Sequence, residues 1–228
     1  MELTLQEFLE KIKKGFPVFE ISPGKTILLL IDMQKLAGTD LLVEEAIKKG
    51  IPIDVAKKAV KIMDERIKNV LENSKKILET CRKKGIDRIH VKIESKFGDG
   101  RDVGRLHKLL NYVVPPGSVW AEFFDKVKPS EDEIVLTKTC SGAFVGTELD
   151  RILRNLGIET LIIIGFYTDQ CVETTARDAA DIGYNIILVE DACTTLTQEL
   201  HDNAIKAIKD VYVKVLSTES LLTKIDGL

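Results

Sequence analysis

Strand-like and helix-like segments alternate along this chain, and from residue 132 onward they do so with short connections. That pattern predicts a three-layer α/β/α fold around a mostly parallel, six-stranded sheet. Two further observations agree. Thr26-Ile-Leu-Leu-Leu-Ile and Leu161-Ile-Ile-Ile are apolar throughout, as strands buried on both faces are. Helical segments between strands stop at glycines, notably Gly85, Gly157 and Gly183.

Taken in order, residues 1–24 read as an N-terminal extension with a short amphipathic helix from Leu3 to Lys14 and a Ser22-Pro-Gly-Lys turn. Thr26 to Asp32 is the first strand and ends on a carboxylate. Pro52 to Lys84 is a long helix, with apolar residues recurring at Val55, Ala59, Ile62, Ile67, Val70, Leu71, Ile77 and Leu78. Pro52 suits its first turn and Gly85 its stop. Arg88 to Ile93 alternates and reads as the second strand.

Residues 94–128 are the least regular. They contain Phe97-Gly-Asp-Gly-Arg-Asp102, Pro115-Pro-Gly and Trp120, and read as a long loop with a short helix near Gly104 to Leu110. Irregular stretches of this length within a compact domain are often functional. The third strand is Ile134 to Thr137, with Lys138 just past its end, followed by a helix from Gly146 to Asn155. The fourth strand is Thr160 to Gly165, followed by a helix from Cys171 to Ile182. The fifth is Asn185 to Glu190, followed by a helix from Thr197 to Lys209. Val211 to Leu216 is a sixth strand and Glu219 to Lys224 a last helix. The whole of 1–228 reads as a single domain.

Bulk properties narrow the function classes. The net charge is −3, and basic runs such as Arg82-Lys83-Lys84 share their helix with acids, so nucleic acid is not an expected partner. No apolar run approaches the ~20 residues that span a bilayer, and the N-terminus lacks a signal-peptide pattern. The 4 cysteines (Cys81, Cys140, Cys171 and Cys193) show neither CxxC spacing nor a disulfide framework, which fits a reducing cytoplasm.

Three chemistry-bearing side chains fall at the ends of different strands: Asp32, Lys138 and Cys171. In open parallel sheets, ligands bind beyond the carboxyl ends of the strands. A thiol at a helix N-terminus is expected to have a lowered pKa, because free N–H groups favour negative charge. Asp32 can take the thiol proton, and Lys138 can hold Asp32 and favour the thiolate. The roles that follow are attack by Cys171 on a carbonyl carbon, proton transfer by Asp32 to the leaving amine, and hydrolysis of the thioester. Backbone N–H groups between Gly165 and Cys171 can serve the oxyanion. A buried structural thiol, a turn aspartate and a surface lysine are the plainer readings of each residue taken alone.

At these residues the chain resembles the isochorismatase-like cysteine hydrolase superfamily. The first block is Leu28-Leu-Leu-Ile-Asp32-Met-Gln34. The second is Lys138-Thr-Cys-Ser-Gly-Ala-Phe144-Val-Gly146-Thr147-Glu-Leu149. The third is Gly165-Phe-Tyr-Thr168-Asp169-Gln-Cys171-Val172-Glu173-Thr174-Thr-Ala176-Arg-Asp178, followed by Glu190-Asp191-Ala192. The resemblance implies an Asp32–Lys138–Cys171 triad, a cis peptide just before Tyr167, and an oxyanion hole from the amides of Tyr167 and Cys171. It also implies a homo-oligomer, dimer or tetramer, with a neighbouring subunit closing the pocket. Gln34, Arg101, Trp120, Phe144 and Phe166 are the candidate substrate contacts, Arg101 as a bidentate partner for a carboxylate.

Nicotinamidases of this superfamily carry an Asp-x-His pair and a further histidine after the second strand, where they bind a metal. This chain has Lys92-Ile-Glu94-Ser-Lys-Phe there, and His90, His107 and His201 are scattered. The expectation is therefore a metal-free, cofactor-free amidohydrolase acting on a small amide, ureido or N-carbamoyl compound. A nicotinamidase-type deamidase and a non-catalytic binding protein on the same fold are the alternatives.

Overall fold

The computed structural model describes residues 3–12, 15–110 and 112–228. Its strands are β1 (Thr26–Ile31), β2 (Asp87–Ile93), β3 (Ile134–Lys138), β4 (Thr160–Phe166), β5 (Asn185–Thr194) and β6 (Lys214–Leu216). They form one sheet in the order β3-β2-β1-β4-β5-β6, with every neighbouring pair parallel. The chain winds outward from β1 in one direction and from β4 in the other. The strand order therefore reverses between β1 and β4, where a parallel sheet leaves a crevice at its carboxyl edge.

The continuous apolar runs have a simple cause: β1 and β4 are buried at every position. Ile27, Leu29 and Ile31 face one layer, made by α5 (Leu149–Asn155), α6 (Glu173–Asp181) and α7 (Gln198–Ile208). Leu28 and Leu30 face the other, made by α3 (Ile53–Lys84) and α8 (Thr218–Asp226). Each such Leu or Ile contributes about 1.5–3 kcal/mol by leaving water. The helix α3 runs as its periodicity predicts, with Pro52 at its N-cap and Gly85 in the left-handed conformation at its end (φ 69°).

Some boundaries differ from expectation. The N-terminal helix is α1, Leu5–Ile12, and residues 13 and 14 of the expected helix lie outside the described residues. A ten-residue helix, α2 (Thr39–Lys48), fills a stretch that sequence patterning leaves unassigned. The long loop holds α4 (Arg105–Leu109), close to the expected short helix, and two 3₁₀ turns at Val119–Ala121 and Asp125–Val127. The helix expected from Gly146 begins only at Leu149. The fifth strand is longer than expected, reaching Thr194, and the sixth is shorter, starting at Lys214. No described helix is long and apolar enough to cross a membrane.

One glycine beside the crevice is required by geometry. Gly165 has φ +133°, and a Cβ built on it would lie 2.0 Å from the carbonyl oxygen of Ile31 on β1. Neither backbone can yield without breaking the β1–β4 pairing. Gly165→Ala is therefore expected to lower stability by on the order of 3 kcal/mol or to prevent folding. Thermal denaturation measures this, and a melting temperature equal to wild type would contradict the close approach.

Candidate active site

Three strand ends converge above the β1–β4 crevice. Asp32 follows β1 directly and adopts a left-handed backbone (φ 49°), a conformation aspartate tolerates better than most residues. Lys138 is the last residue of β3, rather than just past the strand as sequence suggests. It lies two strands from β1, so its long side chain must pass over the end of β2, a span of about 10 Å. It does so, with Nζ 2.8 Å from Asp32 Oδ2 and 3.3 Å from Cys171 Sγ. Its third contact is the Cys140 carbonyl, to which Nζ donates at 2.9 Å. That carbonyl gives the otherwise irregular loop after β3 a role in aiming the lysine.

Cys171 does not open an α-helix. It sits inside a π-helical turn, Thr168–Val172, that joins β4 to α6. The turn is pinned from several directions. Thr175 Oγ1 donates to the Cys171 carbonyl at 2.6 Å and accepts from the Ala143 N–H at 3.1 Å. Gln170 and Val172 donate their N–H groups to the Tyr167 carbonyl at 3.0 and 3.2 Å. The Phe166–Tyr167 peptide is cis, at the position the resemblance implies. The Tyr167 N–H donates to no described residue, which leaves it free for a ligand oxygen.

The three groups are nearly out of solvent: Asp32 is 3% exposed, Lys138 2% and Cys171 6%. Burial therefore governs their ionisation. It raises the Asp32 carboxyl above the ordinary aspartate range, with Lys138 pulling the other way. Lys138 is held above its ordinary value: burial opposes its charge, but Asp32 and Cys171 outweigh that. The Cys171 thiol is pushed up by burial and by the neighbouring Asp32 charge, with Lys138 opposing. This corrects the expectation of a lowered thiol pKa. The resting site is an Asp32–Lys138 ion pair beside a protonated thiol.

The cavity over Sγ is small, about 30 Å³, room for a water or two. Its walls include Gln34, Leu36, Ile93, Tyr112, Phe166 and Tyr167, with Asp32 and Cys171 at the base. Of the candidate substrate contacts, Phe166 and Gln34 line it. The Gln34 amide, however, is already engaged: Nε2 donates to the Ile93 and Trp120 carbonyls at 3.0 and 2.9 Å, and Oε1 accepts from the Ile93 N–H at 2.6 Å. It acts as a clasp between β2 and the long loop.

Trp120, Phe144 and Arg101 do not line this cavity. Trp120 packs against the core beside its 3₁₀ turn. Phe144 stacks on Tyr184, with centroids 6.1 Å apart. Arg101 lies exposed over the Phe97 ring at 4.0 Å. Tyr112, which sequence reasoning did not single out, closes the cavity from the long loop. Its only sequence signal is an aromatic residue within that irregular segment.

At the place where a metal-binding relative would carry Asp-x-His, Lys92 Nζ pairs with Glu94 Oε2 at 3.0 Å. A cation in that position does not suit a metal ligand set. Among the described residues no three His, Cys, Asp or Glu side chains gather as metal donors.

Comparison with known proteins identifies the family. A family model described as the isochorismatase domain matches residues 26–220. The uncharacterized isochorismatase family protein YwoC of Bacillus subtilis is 33% identical over 205 residues, covering 86% of this chain and 97% of that one. Ureidoacrylate amidohydrolase RutB of Acinetobacter baylyi is 26% identical over 245 residues, covering 97% and 95%. A crystal structure of a cysteine hydrolase from Pseudomonas syringae pv. phaseolicola shares the fold at a TM-score of 0.77, with 21% identity over 95% of this chain and 99% of that one. Matched over most of its length by the family model, the chain belongs to the isochorismatase family of hydrolases.

Proposed function

We propose that the chain is a cysteine-dependent amidohydrolase that cleaves a C–N bond of a small amide, ureido or N-carbamoyl compound through a thioester. The observation that carries this reading is one buried ammonium, Lys138 Nζ, within 2.8 Å of the Asp32 carboxylate and 3.3 Å of the Cys171 sulfur. The RutB likeness, a ureidoacrylate amidohydrolase by name, supports the same bond class.

The chemistry balances within the site. Sγ attacks the carbonyl carbon while its proton passes to Asp32, and the carbonyl π electrons move to oxygen. The N–H groups of Tyr167 and Cys171 are the proposed donors to that oxyanion. When the intermediate collapses, the C–N bond breaks and Asp32 returns the proton to the departing nitrogen. Water then attacks the thioester, Asp32 takes its proton, and the sulfur leaves and is reprotonated. As the proton moves, the negative charge passes from Asp32 to sulfur, both beside Lys138, and with the attack it moves on to the carbonyl oxygen, where the two N–H groups receive it. No step buries a net charge, which keeps a raised thiol pKa compatible with catalysis.

The Lys92–Glu94 pair argues against a nicotinamidase of the metal-binding type. A binding protein without turnover is opposed by the assembled triad. The test is amine or ammonia release from nicotinamide, N-carbamoyl acids, ureido acids and biuret, with wild type and Cys171→Ala in parallel. Release by wild type and none above background by Cys171→Ala is expected. Release that survives the substitution overturns the nucleophile.

A further inference from the structure

The turn that carries Cys171 has an anchor that the proposed chemistry does not use. Thr168, its first residue, is fully buried, and its Oγ1 lies 2.8 Å from Nδ1 of His201 on α7. The two residues are 33 apart in sequence and meet because α7 folds back over the end of β5 onto the turn. No other described group bonds to the Thr168 hydroxyl. His201 is only 8% exposed, its Nε2 bonds to no described residue, and the residue lines a cleft shared with Arg66, Glu190 and Asp202. The hydroxyl and Nδ1 share a single hydrogen bond whose donor is set by the imidazole tautomer.

The charged groups that bear on the ring are Asp202, Glu190, Arg66 and Asp169, and burial dominates them, keeping the imidazole neutral near pH 7. The bond thus keeps one form through the neutral range. Thr175 and Ala143 restrain the turn at the Cys171 carbonyl, and the Tyr167 carbonyl restrains it from within. Among the described residues His201 alone restrains the side chain at the start of the turn, three residues before the sulfur and next to the free Tyr167 N–H. A shift there would move Sγ relative to Lys138 and the oxyanion donors together.

We propose that His201 is a positioning residue for the nucleophile, fixing the start of the Cys171 turn through its hydrogen bond to Thr168. The inference rests on the amidohydrolase reading given above. Its test uses the full chain and two pairs of variants. His201→Leu and Thr168→Val remove the bond with little change of volume. His201→Asn places a side-chain amide where Nδ1 stood, and Thr168→Ser keeps the hydroxyl. The first readout is the rate of Cys171 alkylation by iodoacetamide, followed by mass spectrometry, which needs no knowledge of the substrate. The second is kcat and KM on whichever amide the release screen yields, with melting temperatures recorded for every variant.

Alkylation and kcat are expected to fall roughly 10- to 100-fold in the two removing variants, because a displacement near 1 Å is enough for such a loss. KM should stay within about threefold, and the double variant should be no worse than either single one. His201→Asn and Thr168→Ser should recover most of the rate. Rates within about twofold of wild type in both removing variants overturn the proposal. So do losses that follow melting temperature alone, or additive losses in the double variant. Turnover that survives Cys171→Ala overturns the underlying reading instead. An inactive Cys171→Ala beside an unimpaired His201→Leu overturns only the role of His201.

Discussion

Replacing Asp32 with asparagine is expected to lower kcat/KM by roughly 10²- to 10⁴-fold, the range for loss of a positioned acid–base group, and at the same time to lower the pKa of the Cys171 thiol. The two effects have different origins. Asparagine cannot carry the proton from sulfur to the leaving nitrogen, so both halves of the reaction lose their shuttle. The thiol, meanwhile, loses the neighbouring negative charge that pushes its pKa up and keeps the Lys138 ammonium that pulls it down. A variant that ionises its nucleophile more readily and yet turns over far more slowly separates proton transfer from thiolate formation. The pH dependence of Cys171 alkylation reports the first quantity and steady-state turnover the second. Turnover within tenfold of wild type, or an alkylation midpoint that moves upward, would sink the assignment of Asp32 as the shuttle.

The wild-type pH profile follows from the same shifts. Asp32 must be ionised to receive the thiol proton, and burial raises its pKa. Activity should therefore fall on the acid side at a pH above the ordinary aspartate value of about 3.9. Lys138 has its pKa raised by Asp32 and Cys171 against burial, so its charge persists well into the alkaline range. Removing Asp32 also leaves that ammonium buried without its carboxylate, a cost of about 3–5 kcal/mol. A lower melting temperature should accompany the kinetic defect and be relieved in a Lys138→Met, Asp32→Asn double variant.

The sheet and the three side chains that meet at its carboxyl edge could be read from sequence because each rests on local signals. Strands buried on both faces read as nearly continuous apolar runs, as β1 and β4 do, and Asp32 directly follows its strand while Lys138 ends its own. The helix α2 carried no such signal: Leu42 and Ile47 remain exposed, so its apolar residues do not mark one buried face. The π-helical turn at Cys171 is held by Thr175, Ala143 and His201, contacts that exist only after α6 and α7 have packed. This is why the ionisation of the thiol differs from the expectation. Spacing placed it near a helix start, but its near-complete burial and the proximity of Asp32 are tertiary facts. Tyr112 reaches the cavity through the long loop, whose path no periodicity encodes.

The same limit hid the most heavily bonded carboxylate among the described residues, and it yields the second large prediction. Glu133, just before β3, has a side chain with no solvent exposure. It accepts from Arg82 Nε and Nη2 at 2.8 Å each, Arg88 Nε at 2.8 Å and the Ser130 N–H at 3.0 Å, and its Oε2 lies 2.9 Å from His90 Nε2. These partners come from α3, β2 and the β3 approach, and they meet only because β2 pairs with β3. Burial alone would raise this carboxyl, but the two guanidinium groups, the backbone N–H and His90 hold it well below the usual range.

Glu133→Gln keeps the shape but removes the charge and turns an amide N–H₂ toward donors. It is expected to cost about 3 kcal/mol, the lower end for breaking a buried ion pair because Arg82 is partly exposed. For a domain of this size that is a fall in Tm of about 6–12 °C. The sign of the pH effect follows from the depressed pKa. The wild-type contribution is complete above the unfolded glutamate value of about 4.3 and is lost as pH falls toward the folded one. The gap between wild type and Glu133→Gln should therefore be widest at neutral pH and narrow on acidification below about pH 4. Melting curves for both proteins from pH 7 to pH 3 measure it. A constant gap across that range, or a Tm within about 2 °C of wild type at pH 7, would show that this buried cluster does not tie β3 to the sheet, and with β3 the lysine that reaches the sulfur.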